Sequence, residues 1–322
     1  MNVPHGNLPV FRPGSAGKEF FFQIVLTVAL FLSISFVPLA GFFAGVLTPS
    51  PVSLAIIRRG FPSAWLVPGC AALAGSLSLY FLNLSGNIPY LLSLIGMGAV
   101  MGYGFRSKWP TERIVGLSSL LVIGIAALFA ILALIETKGG LVSLIEQDLR
   151  ETISATLKQL GVSSVETLEM EKNLLESVPL IVRIIPGMLI SGTILISWLN
   201  LLISRRYCRM AAAEYCDFDR LTLWKTPEFF VWLVIAGGLM IILPVGDLRL
   251  SGINVVVVMG TLYFLQGLAI VAFFFERWKM PFFIKGFVYA VLFLQQFASM
   301  VIAALGLFDV WFDFRKLVKK PA

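Results

Sequence analysis

Nine apolar stretches, at residues 20–36, 40–57, 63–83, 88–105, 114–136, 179–203, 229–246, 252–276 and 283–308, meet or approach the roughly 20 residues that a helix rising 1.5 Å per residue needs to cross a bilayer. The polar residues left between them are too few to build an aqueous shell: hydrophobic types fill 58% of the 322 positions, charged types 13%, and mean hydropathy is +0.90. In lipid the backbone has to satisfy its own hydrogen bonds, which leaves helices as the element for such runs. The expected fold is all-α, a polytopic transmembrane bundle of about nine helices, or eight if one run does not cross.

The stretch 20–57 is too long for one helix. Pro38 and Gly41 offer a break that makes it a hairpin, with Pro49 and Pro51 rendering the second arm irregular; a single kinked span over 21–46 is the alternative. Lys and Arg set the orientation. Arg58 and Arg59, then Arg106, Lys108 and Arg113, then Arg205, Arg206, Arg209, Arg220 and Lys225, then Arg277, Lys279 and Lys285 occupy alternate connections, which are expected to be cytoplasmic. An odd span count then leaves Arg315, Lys316, Lys319 and Lys320 outside, unless the short run 229–246 does not cross. The net charge of +7 is accounted for by these clusters, and no nucleic-acid role is expected. The polar, Pro- and Gly-rich residues 1–19 read as a retained, flexible tail, since the run after them is too long for a signal sequence and has no small-x-small cleavage site. Cys70, Cys208 and Cys216 form no CxxC pair, so neither a zinc site nor a disulfide framework is expected.

One segment departs from the apolar pattern. Between residues 137 and 178, Leu141, Leu144, Ile145, Leu149, Ile153, Leu157 and Leu160 recur at spacings of three and four among charged residues, the mark of an amphipathic helix. Gly161 offers a C-terminal cap, and Ser163 with Glu166 a capping box that opens a second helix reaching Pro179. The result is an extramembrane helical hairpin, acidic overall, read as a solvated connector or as a lid over a substrate opening.

Catalysis in a membrane calls for paired acids, a histidine cluster or a nucleophile with its base. The one histidine is His5, in the tail, and no Gly-x-Ser-x-Gly or paired intramembrane aspartates occur. No catalytic residue, metal ligand or cofactor is assigned. Polar side chains within spans are costly and therefore worth naming. Arg183, beside Pro186 and Gly187, is a candidate for an anionic ligand or for an ion pair with Glu176, seven residues earlier. Asn200, Gln266, Gln295 and Gln296 are candidates to line a polar cavity or to hydrogen-bond between helices. Arg183, Asn200 and Gln266 are the candidate substrate-binding set. Asn254 reads as a helix cap. Gly41 with Gly45, Ala71 with Gly75, and Gly98 with Gly102 have the four-residue spacing that lets helix backbones touch, against this chain or a partner protein. The tail from Asp309 through Trp311, Phe312, Asp313 and Arg315 reads as an interfacial amphipathic turn.

Asn254, the run Tyr263-Phe264-Leu265-Gln266-Gly267-Leu268-Ala269 and the ending from Leu305 through Asp309, Asp313 and Arg315 to Lys316 resemble the YybS-like family of predicted bacterial membrane proteins, domain of unknown function 2232. The resemblance covers essentially the whole chain and marks Asn254, Gln266, Gly267, Asp309, Asp313 and Arg315 as its motif residues. That family is distantly similar to the S components of energy-coupling-factor transporters and to MreD-type rod-shape proteins. The resemblance implies a six-helix core over residues 20–203, including the hairpin 137–178. A cytoplasmic connector 204–228, three further helices over 229–308 and an interfacial tail 309–322 would follow. The expectation is a multi-pass protein of the bacterial cytoplasmic membrane that binds or takes up a small solute. The rival is a scaffold of the MreD kind that recruits membrane-protein partners, with the lipid bilayer as surroundings in either case.

Overall fold

The computed structural model describes residues 16–59, 65–136, 140–159, 165–211, 220–244 and 246–315. The tail up to residue 15, the caps expected at Gly161 and Ser163, Cys216, and Lys316, Lys319 and Lys320 therefore lie outside the described residues. The described residues are helical throughout apart from short turns, and no strand occurs among them. They fall into two compact units, residues 1–129 with 193–218, and residues 130–192 with 219–322.

The first unit holds α1 (Ala16–Phe36), α2 (Pro38–Gly45), α3 (Pro49–Arg59), α4 (Leu66–Phe81), α5 (Ile88–Arg106) and most of α6 (Thr111–Glu136). The chain breaks at Val37, whose extended backbone (φ −131°, ψ 89°) ends α1 and lets α2 fold back on it. The hairpin reading of 20–57 holds: Gly17–Phe36 and Ala40–Arg58 are separate candidate spans, and a turn at residues 46–48 interrupts the second. Small residues set the packing. A side chain at Gly41 would strike the Ser33 carbonyl of α1, one at Gly75 would strike Leu91, and one at Gly102 would lie 2.9 Å from the Ser53 carbonyl of α3. All three small-residue pairs seen in the sequence thus meet helices of this same chain. Around them Phe31, Val52, Ile56, Leu79, Leu91 and Leu94 form the unit's core.

The second unit holds α7 (Leu141–Gln159), the first part of α8 (Val165–Ala211), α9 (Phe230–Ile242), α10 (Gly246–Arg277), α11 (Phe282–Leu294) and α12 (Gln296–Phe312). The charged segment is two helices, as expected, and its arms touch where Ser154 Oγ donates to Glu171 Oε1 at 3.2 Å. Its second arm does not end at Pro179, however. α8 runs 47 residues through Pro179 and Pro186, about 70 Å at 1.5 Å per residue, so the arm and the following span are one helix. Proline removes a single rung of the ladder, and inside a bundle neighbouring groups can replace it. Likewise Asn254 is no cap. α10 begins eight residues earlier, at Gly246, with Asp247 in its first turn.

The count of nine crossing helices is not met. Among the described residues, six helices are long and apolar enough to span, or seven if α11 and α12 make one broken span. Hydropathy counts apolar residues without asking where the helix stops. Asn83, in the left-handed region at φ 58°, closes α4 after 16 residues: its N–H reaches Tyr80 O and that of Leu84 reaches Leu79 O, satisfying the last carbonyls. α9 has 13 residues, about 20 Å, against a hydrocarbon thickness of about 30 Å, in line with the suspicion that 229–246 falls short. The run 283–308 is cut at Gln295, whose extended backbone lets α11 and α12 meet at 102°. Gln295 and Gln296 are exposed at that corner. Cys208 is disulfide-bonded, contrary to expectation; a search for CxxC spacing does not test for more widely separated pairs.

Candidate functional site

In the first unit, one face of α8 carries Ser197, Asn200 and Ser204 at spacings of three and four, which directs them to one side of the helix. Each meets a partner. Asn200 Oδ1 accepts from Ser50 Oγ at 2.5 Å, while its Nδ2 donates to Val46 O at 2.9 Å and to Ile196 O at 2.8 Å. Ser204 pairs with Ser53 at 2.9 Å and Ser197 with Ser118 at 2.6 Å. Below them, Arg205 Nη1 donates to Thr111 Oγ1 at 3.1 Å. The basic connections gather at this end: Arg106 donates to Ile57 O at 3.2 Å, and Arg58 lies 4.4 Å from the ring centre of Tyr207 and 3.7 Å from Glu19. Positive charge collected at one end is what the charge rule asks of a cytoplasmic face.

The second unit contains the most heavily bonded polar cluster among the described residues. It starts from a close approach of backbones. Gly267 of α10 faces the Ile302 carbonyl of α12, and Gly306 of α12 faces the Tyr263 carbonyl of α10, so neither position has room for a Cβ. That contact brings Gln266 against Asp309. α12 ends at Asp313, whose left-handed backbone (φ 44°) turns the chain back on itself. The turn aims Phe314 N–H at Asp309 Oδ1 (2.9 Å) and sends the Arg315 guanidinium inward. Asp309 Oδ2 then accepts from Arg315 Nη2 at 2.6 Å and from Gln266 Nε2 at 3.1 Å. The side chains of Arg315 and Asp309 are 5% and 0% exposed, which places this ion pair out of reach of solvent screening.

The pair is tied to the connector before α9. Arg315 Nη1 donates to Thr222 O at 3.0 Å and Trp224 O at 2.8 Å, and Gln266 Oε1 accepts from Thr226 N–H at 2.9 Å. On the rim, Lys225 Nζ bonds Asp313 Oδ1 at 2.8 Å. The Asp309 carboxylate has three donors, and a buried charge so supplied is a fixed structural element. Chemically the arrangement can hold the C-terminal turn, the connector and α10 as one piece. It presents neither a nucleophile with a base nor a clustered metal-ligand set among the described residues.

Of the residues put forward from the sequence, the fold unites Gln266, Gly267, Asp309, Asp313 and Arg315 in this cluster. Asn254, also a motif residue, lies three turns earlier on α10 and bonds the backbone of α8 at Arg183 and Gly187. Of the three candidate solute-binding residues, Asn200 belongs to the first unit; in the second, Gln266 is locked in the cluster and the half-exposed Arg183 lies 3.8 Å from Asp247. The expected Arg183–Glu176 pair is absent. Seven residues put about 10 Å of rise between them, and Glu176 sits instead beside Lys172 at 4.0 Å. Thr222, Trp224 and Thr226 escaped the sequence reading because they contribute backbone groups, which no side-chain pattern records.

A family model described as Predicted membrane protein (DUF2232) matches residues 25–310, nearly the whole chain. No curated protein and no solved structure matches it.

Proposed function

The chain belongs to this family of predicted membrane proteins, and from that premise we propose that it is a scaffold of the bacterial cytoplasmic membrane, MreD-like in kind. It works by holding membrane-protein partners, without catalysing a reaction. The observation that carries this reading is that the two buried carboxamides put forward as solute ligands are already committed within the protein, although other buried polar atoms, such as Ser191 Oγ and Tyr263 Oη, have no hydrogen-bond partner. A solute site needs several polar groups converging on open space. Here Asn200 and Gln266, the two buried candidates, use both ends of their carboxamides on neighbouring elements of this chain. Polar side chains spent in this way act as glue between helices, as is usual in lipid. Uptake of the S-component kind would have to build its pocket from other groups.

The ion-pair cluster gives the scaffold reading a surface. It fixes the end of α12, and beside it Phe308, Trp311 and Phe312 remain exposed, Trp311 by 59%. Aromatics held rigidly by a buried network suit recognition, because little side-chain freedom is lost on binding.

The test places a photo-crosslinking amino acid at Trp311 of the full chain in cells, with native mass spectrometry of the purified protein alongside. Discrete protein adducts at Trp311, lost in Arg315→Met, are expected, with no stoichiometric small molecule retained. A vitamin-sized molecule bound one to one, with no adduct from Trp311, would replace this reading with solute uptake.

A further inference from the structure

α10 leaves the apolar zone at Arg277, where its candidate span ends. The last carbonyls are closed by Lys279 in the left-handed region (φ 50°), with Lys279 N–H on Glu276 O and Met280 N–H on Phe275 O. Trp278, Phe282 and Phe283 follow, all exposed, as aromatics are at headgroup depth. At this level a crevice of about 280 Å³ opens between the end of α10 and the connector, lined by Arg220, Thr222, Leu223, Phe273, Glu276 and Arg277.

Its chemistry is two-sided. Arg220 and Arg277 supply guanidinium groups, and Thr222 a hydroxyl that lies 3.5 Å from Glu276 Oε2. Leu223 and Phe273 form an apolar wall. With Glu276 counted, the lining carries one net positive charge, which matches a singly charged phosphodiester better than a phosphate dianion. Lys225, Lys279 and Lys285 add positive charge in the same connections, while Glu228 and the paired Asp313 offset part of it. We propose that this crevice binds the phosphodiester headgroup of an anionic phospholipid, with the guanidiniums on the phosphate and Leu223 and Phe273 along the first acyl carbons. Basic pockets beside the ends of spans suit this ligand class, each basic group near the surface favouring anionic lipid by about fivefold.

The experiment is native mass spectrometry of the full chain released from micelles doped with phosphatidylglycerol or with phosphatidylcholine of the same acyl chains. Retention of phosphatidylglycerol should exceed that of phosphatidylcholine by more than about tenfold, two basic groups contributing about fivefold each. Arg220→Gln, an exposed position, should lower the excess by about fivefold, and Arg277→Gln similarly, whereas Lys172→Gln, on the charged arm, should leave it unchanged. Thermal unfolding in phosphatidylcholine alone shows whether each variant is folded, and Arg220→Gln suffices should Arg277→Gln misfold. Equal retention of the two lipids, or wild-type retention by folded Arg220→Gln, overturns the proposal. Displacement of phosphatidylglycerol by millimolar inorganic phosphate would identify a free-phosphate site and overturn it as well.

Discussion

Asn254 lies across one turn of α8, its Oδ1 accepting Gly187 N–H at 2.7 Å and its Nδ2 donating to Arg183 O at 2.9 Å. In an unbroken helix those two backbone groups, four residues apart, bond each other. Pro186, the residue before Gly187, has no N–H to give the ladder, and proline at such a position crowds the preceding turn. The carboxamide has the donor and acceptor of a peptide unit and bonds both groups. Gly187 is what lets it in, because a Cβ there would lie 2.6 Å from Asn254 Oδ1.

Asn254→Ala is therefore expected to destabilise the protein by about 1–2 kcal/mol, the upper range for a polar contact in a bundle. Gly187→Ala should cost a similar amount by expelling the carboxamide. The double variant should fall short of the sum by more than about 0.5 kcal/mol, since both changes remove one interaction. Reversible unfolding in mixed micelles measures all three, and strict additivity would show that the two residues act separately.

Breaking the Arg315–Asp309 pair from either side should cost more, about 3–5 kcal/mol, because the survivor is left as a buried, unpaired charge. Arg315→Met and Asp309→Asn should each free the C-terminal turn, read as faster proteolysis after α12. The loss should be insensitive to added salt. Lys225→Ala, which removes the rim pair to Asp313, should cost less than about 1 kcal/mol and lose its effect in 0.5 M salt.

How much of this was legible in the sequence depends on the kind of signal. Apolar runs and charge clusters located the helical stretches but not the breaks within 40–57 and 283–308 or the fusion of the charged arm with the next span, and Pro38 with Gly41 located the first hairpin, because burial in lipid and backbone sterics are written in residue type. The motif around Gln266, Gly267, Asp309, Asp313 and Arg315 was visible as one set, yet its geometry was not. Asp309 and Arg315 meet only because Asp313 turns the chain through the left-handed region, and their further partners are backbone groups of residues 222–226. Span count failed for a related reason. Where α4 and α9 stop is decided by local turns at Asn83 and Leu243, and hydropathy windows average over them.

The contact of α10 with α12 gives a sharper test of packing. Gly267→Ala and Gly306→Ala each drive a methyl into a facing backbone carbonyl, at Ile302 and Tyr263, and neither carbonyl can step aside without moving its helix. Overpacking of this kind costs about 1–3 kcal/mol. Gly260, on the same helix, has open space around its Cβ position, and Gly260→Ala should be neutral or stabilise by up to about 1 kcal/mol through helix propensity. Equal losses at all three positions would mean that the close approach does not govern stability here.

Asn200 separates the two functional readings most directly. As glue between α8 and the turn before α3, its replacement by Leu strands Ser50 Oγ and the Val46 carbonyl, and stability should fall by about 1–2 kcal/mol, with coupling to Ser50→Ala. As a solute ligand, its loss would spare the fold and abolish retention of a bound molecule, because binding residues are held in place by groups other than the ligand. Unfolding and native mass spectrometry on the same Asn200→Leu preparation read both quantities. Lost stability with unchanged mass supports the scaffold, and intact stability with a vanished adduct supports uptake.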